Sequence, residues 1–221
     1  MSTSRIPGAL AVLAIALAAP TAVAQTPVCI TGMLEPLAGA TICMQGETHR
    51  LAGTAVFLRS SLLDLRPYNG QVVRVTGSEI GLLCRVVDVV TVSPPPAQLT
   101  SCGSPMPGCP VRLRVGPSTL GQWALFGAFS SDFLPIGCTP PSGIDGTILL
   151  GQPTFALASG LLTGSGGDHT IQIPAVPALA GVRVWFQGAR QDIGPVGPPQ
   201  LTNVVEMQLV PFMPVCAPVN C

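Results

Sequence analysis

The stretch from Leu63 to Gly77, LDLRPYNGQVVRVTG, and the stretch from Cys84 to Val92, CRVVDVVTV, decide the fold class. Within Gln71–Thr76, Val73 and Val75 fall on one face while Val72, Arg74 and Thr76 fall on the other, the two-residue period of a half-buried strand. In Arg85–Val92 both faces are mostly valine, which predicts a central strand, with Asp88 as a polar interruption that needs a partner or an exit to solvent. Tyr68-Asn69-Gly70 supplies turn chemistry ahead of the first of these strands. Working outward, Val28–Met33, Thr41–Met44, His49–Leu51 and Ala55–Leu58 are short segments rich in Val, Ile, Leu or Thr and bounded by turn residues, so they too read as strands. The one helical turn expected here is at Ser60–Leu65, where Ser60 or Ser61 can cap and Leu62 and Leu65 are three apart.

The LDLRPYNGQVVRVTG run with the Val-rich strand after it resembles the later strands of an OB-fold barrel, a likeness extended to residues 28–92. That resemblance implies a small closed barrel of a kind that often binds oligonucleotides or oligosaccharides. Ser93-Pro94-Pro95-Pro96 ends this region, because three prolines cannot continue a ladder. Residues 93–110, with Cys102, Cys109 and several Gly and Pro, read as a cross-linked connector. Beyond it, Val111–Val115, Trp123–Phe129, Thr147–Leu150, Thr154–Ala158, Thr170–Ile173, Val182–Phe186 and Val204–Val210 are seven strand candidates with Gly or Pro in nearly every gap, the pattern of a β-sandwich. Residues 111–210, especially Ile173–Ala189 and Leu201–Leu209, resemble the carboxy-terminal β domains of uncharacterised exported bacterial proteins, a likeness that implies a compartment and a fold but no chemistry.

The first residues point the same way. Arg5 precedes an apolar run from Ala9 to Ala19, and Ala22-Val23-Ala24 provides small residues for cleavage before Gln25. The run is shorter than the roughly 18 residues that cross a bilayer, so residues 1–24 read as a secretory signal. All eight cysteines (Cys29, Cys43, Cys84, Cys102, Cys109, Cys138, Cys216 and Cys221) follow it, and an even number in an exported chain predicts four disulfides. Spacing leaves the pairing open: Cys216 with Cys221, Cys102 with Cys109, Cys43 with Cys84 and Cys109 with Cys138 are all reasonable. The spacings do not form a zinc-binding double knuckle. Ten Arg, no Lys and ten acids leave the chain formally neutral, which lacks the electrostatic footprint of a nucleic-acid partner. Hydrophobic content of 48% against 9% charged residues is the reverse of a disordered composition.

Candidate chemistry is sparse. No G-x-S-x-G occurs, and Gly164-Ser165-Gly166-Gly167-Asp168-His169 reads as a glycine-rich hairpin loop, since triads assemble from separate segments. His49 beside Arg50 reads as an exposed strand residue, and two histidines cannot build an imidazole-rich metal centre. Asp132, Asp145, Asp168, Asp192 and Glu206 read as loop caps or solvated strand positions, although an acid pair for glycoside hydrolysis needs only two carboxylates across one cleft. Trp185 alternates with Val184 and Phe186, so it faces away from them, either outward as a sugar-stacking platform or across a domain junction.

These readings give an all-β fold, an OB-like barrel (25–92), a connector (93–110), a β-sandwich (111–210) and a cysteine-containing tail (211–221). The expected function is a non-catalytic secreted or cell-surface structural or assembly protein, with no cofactor. Its partners would be further copies, other surface proteins or a glycan, with no nucleic acid and no membrane span after signal cleavage. The alternatives are an extracellular carbohydrate- or protein-binding module, with Trp185 as the speculative binding residue, and a secreted hydrolase with an unrecognised carboxylate pair.

Overall fold

The structure is a computed structural model that describes residues 27–39, 43, 45–81, 84–116, 120–138, 144–162, 166–193, 197–211 and 215–216. The signal-peptide reading lies outside the described residues, as do most of the Thr41–Met44 strand candidate and most of the tail. In the first half, β1 (Pro27–Pro36), β2 (His49–Leu51), β3 (Val56–Arg59), β4 (Val72–Glu79) and β5 (Arg85–Ser93) close into a barrel in the order β1-β2-β3-β5-β4. Only β3 and β5 pair in parallel. Closure depends on β1, which pairs with β4 through Pro27–Met33 and then with β2 through Leu34–Pro36. The result is the OB-like barrel expected from the sequence.

The valine alternation in β4 works as read: Val73 and Val75 are buried in the barrel core while Val72, Arg74 and Thr76 are only half-buried. In β5, Val86, Val87 and Val89 are all buried, and Asp88 finds Arg59 on the parallel neighbour β3 at 3.4 Å. Gly77 sits where the β4–β5 register shifts, and a Cβ there would lie 2.1 Å from the Asp88 carbonyl oxygen. Glycine is therefore the residue that lets these two strands approach and the barrel close. Ser60 Oγ accepts from the Leu62 and Leu63 amides while donating to the Val89 carbonyl, but the helical turn expected at Ser60–Leu65 does not form. The helical turn itself comes later, as a 3-10 turn at Arg66–Tyr68, where Pro67 presets the helical φ.

The second half is built of two packed sheets and a hairpin. β8 (Gly121–Ala128), β11 (Thr154–Leu162), β13 (Arg183–Asp192) and β14 (Gln200–Gln208) form a sheet in the order β11-β8-β13-β14. Facing it are β6 (Gln98–Gly103), β7 (Pro110–Gly116) and β12 (Gly167–Gln172), in the order β12-β7-β6. Leu99, Leu113, Val115, Trp123, Leu125 and Phe186 fill the space between the two sheets. β9 (Ser131–Gly137) and β10 (Gly146–Leu150) form the hairpin. Two corrections follow. The connector 93–110 contains a strand, β6, because Leu99 supplies an inward apolar residue to the sandwich and the ladder with β7 runs from Gln98 to Gly103. β9 was not expected, since Pro135 argues against a strand; it is tolerated in a two-stranded hairpin, where one side of the ladder is open.

The hairpin joins the two halves. Its Phe133, Leu149 and Leu150, with Ala128 and Val204 of the four-stranded sheet, belong to the same buried cluster as the barrel interior. Buried polar side chains stitch the seams. Gln187 of β13 accepts from the Leu149 amide and donates to the Thr147 and Thr202 carbonyls. Asn203 of β14 pairs with both the amide and the carbonyl of Leu99 in β6. Thr147 of β10 donates to the Cys29 carbonyl in β1. Arg74 of β4 grips Asp145 with two hydrogen bonds of 2.7 and 2.5 Å.

Three disulfides among the described residues reinforce this layout: Cys29–Cys138, Cys43–Cys84 and Cys109–Cys216. Cys102 is disulfide-bonded as well. Cys43–Cys84 is one of the pairings left open by spacing. Cys109 with Cys102 or Cys138, and Cys216 with Cys221, are not formed, because the ladders carry near neighbours in sequence to different places. Cys29–Cys138 ties β1 to the end of β9 across the barrel–hairpin seam.

Candidate functional site

The charged side chains are almost entirely used up against one another. Each of the nine described arginines sits in an ion pair: Arg50–Glu35, Arg59–Asp88, Arg66–Asp64, Arg74–Asp145, Arg85–Glu79, Arg183–Glu206, Arg190–Asp192, and both Arg112 and Arg114 on Asp168. The Arg114 guanidinium hydrogen-bonded to Asp168, assisted by Arg112, holds that carboxyl below its ordinary range against the opposing effect of burial. Among the described residues, only Glu47 and Asp132 lie outside these pairs. No three His, Cys, Asp or Glu side chains among the described residues converge as a metal site would require.

Two concavities hold acidic side chains outside or within these pairs. The first, of about 530 Å³, lies between the hairpin and the four-stranded sheet and is walled by Phe126, Phe133, Leu134, Ile148, Leu150 and Leu201. Arg85, Asp132, Gln152 and Thr154 also line it. Arg85 lies 5.5 Å from the centroid of the Phe133 ring while its Nη1 donates to Glu79 at 2.7 Å, so its charge is already compensated. Asp132 accepts the Phe133 amide at 2.7 Å through Oδ1. The second, of about 440 Å³, follows the seam between barrel and sandwich, and both Glu35 and Glu206 line it. Each is engaged by an arginine, Glu35 by Arg50 at 2.9 Å and Glu206 by Arg183 at 3.3 Å.

The residues singled out from sequence are distributed as follows. Trp185 lies on this seam: its ring is half-buried against the barrel cluster, and its Nε1 donates to the Gly53 carbonyl at 2.7 Å. His49 is buried at 3% exposure rather than exposed. Its Nε2 lies 2.9 Å from Asn69 Oδ1, which accepts, and its Nδ1 is left to accept the Thr48 hydroxyl at 2.8 Å. The reading as exposed missed that β2 turns His49 inward while sending Arg50 out. Asp168 and His169 lie in strand β12, not in a loop, opposite Arg114 and Leu113; Thr163 to Ser165 lie outside the described residues. Asp145, Asp192 and Glu206 are ion-paired, while Asp132 is at the apolar cavity.

The chain matches no known protein family, no curated protein and no solved structure. The likeness of residues 111–210 to exported bacterial β domains gains no support from these comparisons, and the reading of the site rests on its chemistry. That chemistry supplies a largely apolar pocket, a seam lined by two arginine-paired carboxylates, and arginines that are all ion-paired among the described residues. The pocket was missed from sequence because its walls come from seven separate strands. The Phe133-Leu134-Pro135-Ile136 run, four bulky apolar or cyclic residues between the strand candidates Trp123–Phe129 and Thr147–Leu150, was the available signal.

Proposed function

We propose that this is an exported, non-catalytic structural protein that assembles with further copies of itself through the outer edge of β11. The observation that carries the reading is the composition of that edge. β11, TFALASGLL, is the outermost strand of the four-stranded sheet, nine residues long, with neither charge nor proline. Its ladder runs to β8 on one side, and its other side makes no backbone hydrogen bond within the described residues. Leu161 on it is 67% exposed. Sheet edges of soluble proteins are ordinarily blunted by charge, proline or cover. Two of the other sandwich edges are so protected: β14 is covered by β1 and β6, and β12 carries Asp168 against Arg112 and Arg114. A neutral strand pairs with its own copy without like-charge repulsion, and antiparallel edge pairing is self-complementary about a two-fold axis.

The disulfides are compatible with export, since such bonds persist in oxidising compartments. The test is sedimentation velocity of the oxidised chain over a wide concentration range. Self-association that Leu161→Lys with Ser159→Lys weakens at least about tenfold is expected; a monomer at every concentration would refute assembly. A hydrolase is the second reading, favoured by Glu35 and Glu206 lining one cleft. It requires turnover of a glycoside substrate that is lost in both Glu35→Gln and Glu206→Gln.

A further inference from the structure

We infer that the apolar cavity between the β9–β10 hairpin and the four-stranded sheet binds a small amphiphile with a cationic end, its apolar body inside and its ammonium at Asp132. The volume, about 530 Å³, falls within the range of small-molecule sites. Phe126, Phe133, Leu134, Ile148, Leu150 and Leu201 provide walls that gain by excluding water. Leu134 stays 57% exposed at the rim, an apolar side chain that a bound tail would cover.

The polar lining selects the charge. Gln187 touches the cavity, but both ends of its amide are committed to backbone groups, so it cannot orient a ligand. Arg85 is neutralised by Glu79 and occupied with the Phe133 face. Asp132 is in no ion pair with the described residues, and its one hydrogen bond uses Oδ1, which leaves Oδ2 for a ligand. The uncompensated charge at this cavity is therefore negative. An anionic head meets Asp132 and finds the Arg85 guanidinium already paired, whereas an ammonium pairs with Asp132. Of β11 only Thr154 lines this site, away from Ser159 and Leu161, and dilute monomer suffices to test it.

The experiment is calorimetric titration of the oxidised chain with octyltrimethylammonium and with octanoate, with methyl NMR to locate each. Saturable binding of the ammonium at one site is expected, with shifts at Leu134, Ile148 and Leu150 and octanoate at least about threefold weaker, the scale of an exposed charge pair. Asp132→Lys, at an exposed position, is expected to reverse the order of the two probes. Ile148→Trp, which fills the cavity, is expected to abolish both. If Ile148→Trp does not fold, the Asp132→Lys comparison still decides. Equal or tighter binding of octanoate to the unmodified chain, the absence of localised shifts with either probe, or an unchanged order in Asp132→Lys would each overturn the assignment.

Discussion

Replacing Gln187 with Leu tests whether the hairpin is locked to the sheet by one side-chain amide. Gln187 is 2% exposed, and the residues it serves, Leu149, Thr147 and Thr202, are equally sealed from water. Its Oε1 accepts the Leu149 amide at 2.9 Å, and its Nε2 donates to the carbonyls of Thr147 at 2.9 Å and Thr202 at 3.0 Å. Leu is close in volume and gains apolar burial worth about 1–2 kcal/mol, but it leaves one buried donor and two buried acceptors without partners at about 1–3 kcal/mol each. The loss dominates, and after local relaxation the net destabilisation is expected to be about 3–5 kcal/mol. For a chain of this size, with m of about 2–3 kcal/mol/M, that lowers the urea midpoint by about 1–2 M. The assay is equilibrium urea unfolding with disulfides intact, followed by tryptophan fluorescence and far-UV circular dichroism together. Gln208→Leu, at an exposed position in β14, is the control and is expected to change stability by less than about 0.5 kcal/mol. A Gln187→Leu midpoint within about 0.3 M of the unmodified protein, with m unchanged, would refute the reasoning.

Three further outcomes are expected. Cys29→Ala with Cys138→Ala opens a loop of 109 residues and is expected to cost about 3–5 kcal/mol, measured by the same urea unfolding; opening Cys43–Cys84, which spans 41, is expected to cost less. Asp168, whose carboxyl is held below its ordinary value of 3.8, binds a proton less readily folded than unfolded. Its contribution is therefore complete above that value and is lost as pH falls through the folded one, so Asp168→Asn is expected to flatten the acid limb of thermal stability against pH. Trp185→Ala removes a half-buried indole and its hydrogen bond to Gly53 and is expected to cost about 2–4 kcal/mol; a stable variant with altered glycan-array binding would instead identify Trp185 as a ligand platform.

The barrel was legible because its strands announce themselves locally. Val73 and Val75 alternate with polar neighbours, and the motif ends on Gly77, where the Asp88 carbonyl leaves no room for a Cβ. Strand β9 was not legible, because what makes Ser131–Gly137 a strand is its partner β10 and the barrel core behind it, while its own Pro135 speaks against it. His49 was misjudged for a related reason: three residues of β2 carry no visible period, and inward direction is fixed only by pairing with β1 and β3. Disulfide pairing is likewise a property of the closed topology, since Cys109 and Cys216 are 107 residues apart and meet only once both are placed beside the sandwich.

The same distinction separates what was legible about the site. The neutral balance of charge was visible in composition, but balance alone is compatible with separated patches of either sign. The structure replaces it with a stronger condition, local neutralisation, in which every described arginine is paired with a carboxylate, Arg112 and Arg114 sharing Asp168. Long-range steering of a charged macromolecule needs a field extending beyond such pairs, and pairs a few ångströms apart leave little of it past a Debye length of about 8–10 Å. In the OB-like barrel all the described guanidinium groups are satisfied in this way. What survives is short-range: an uncharged strand edge, and an apolar cavity whose only unpaired charge is Asp132. Both act by contact, and they are separable, because a charge placed on Leu161 leaves Asp132 in place and a charge reversed at Asp132 leaves the β11 edge neutral.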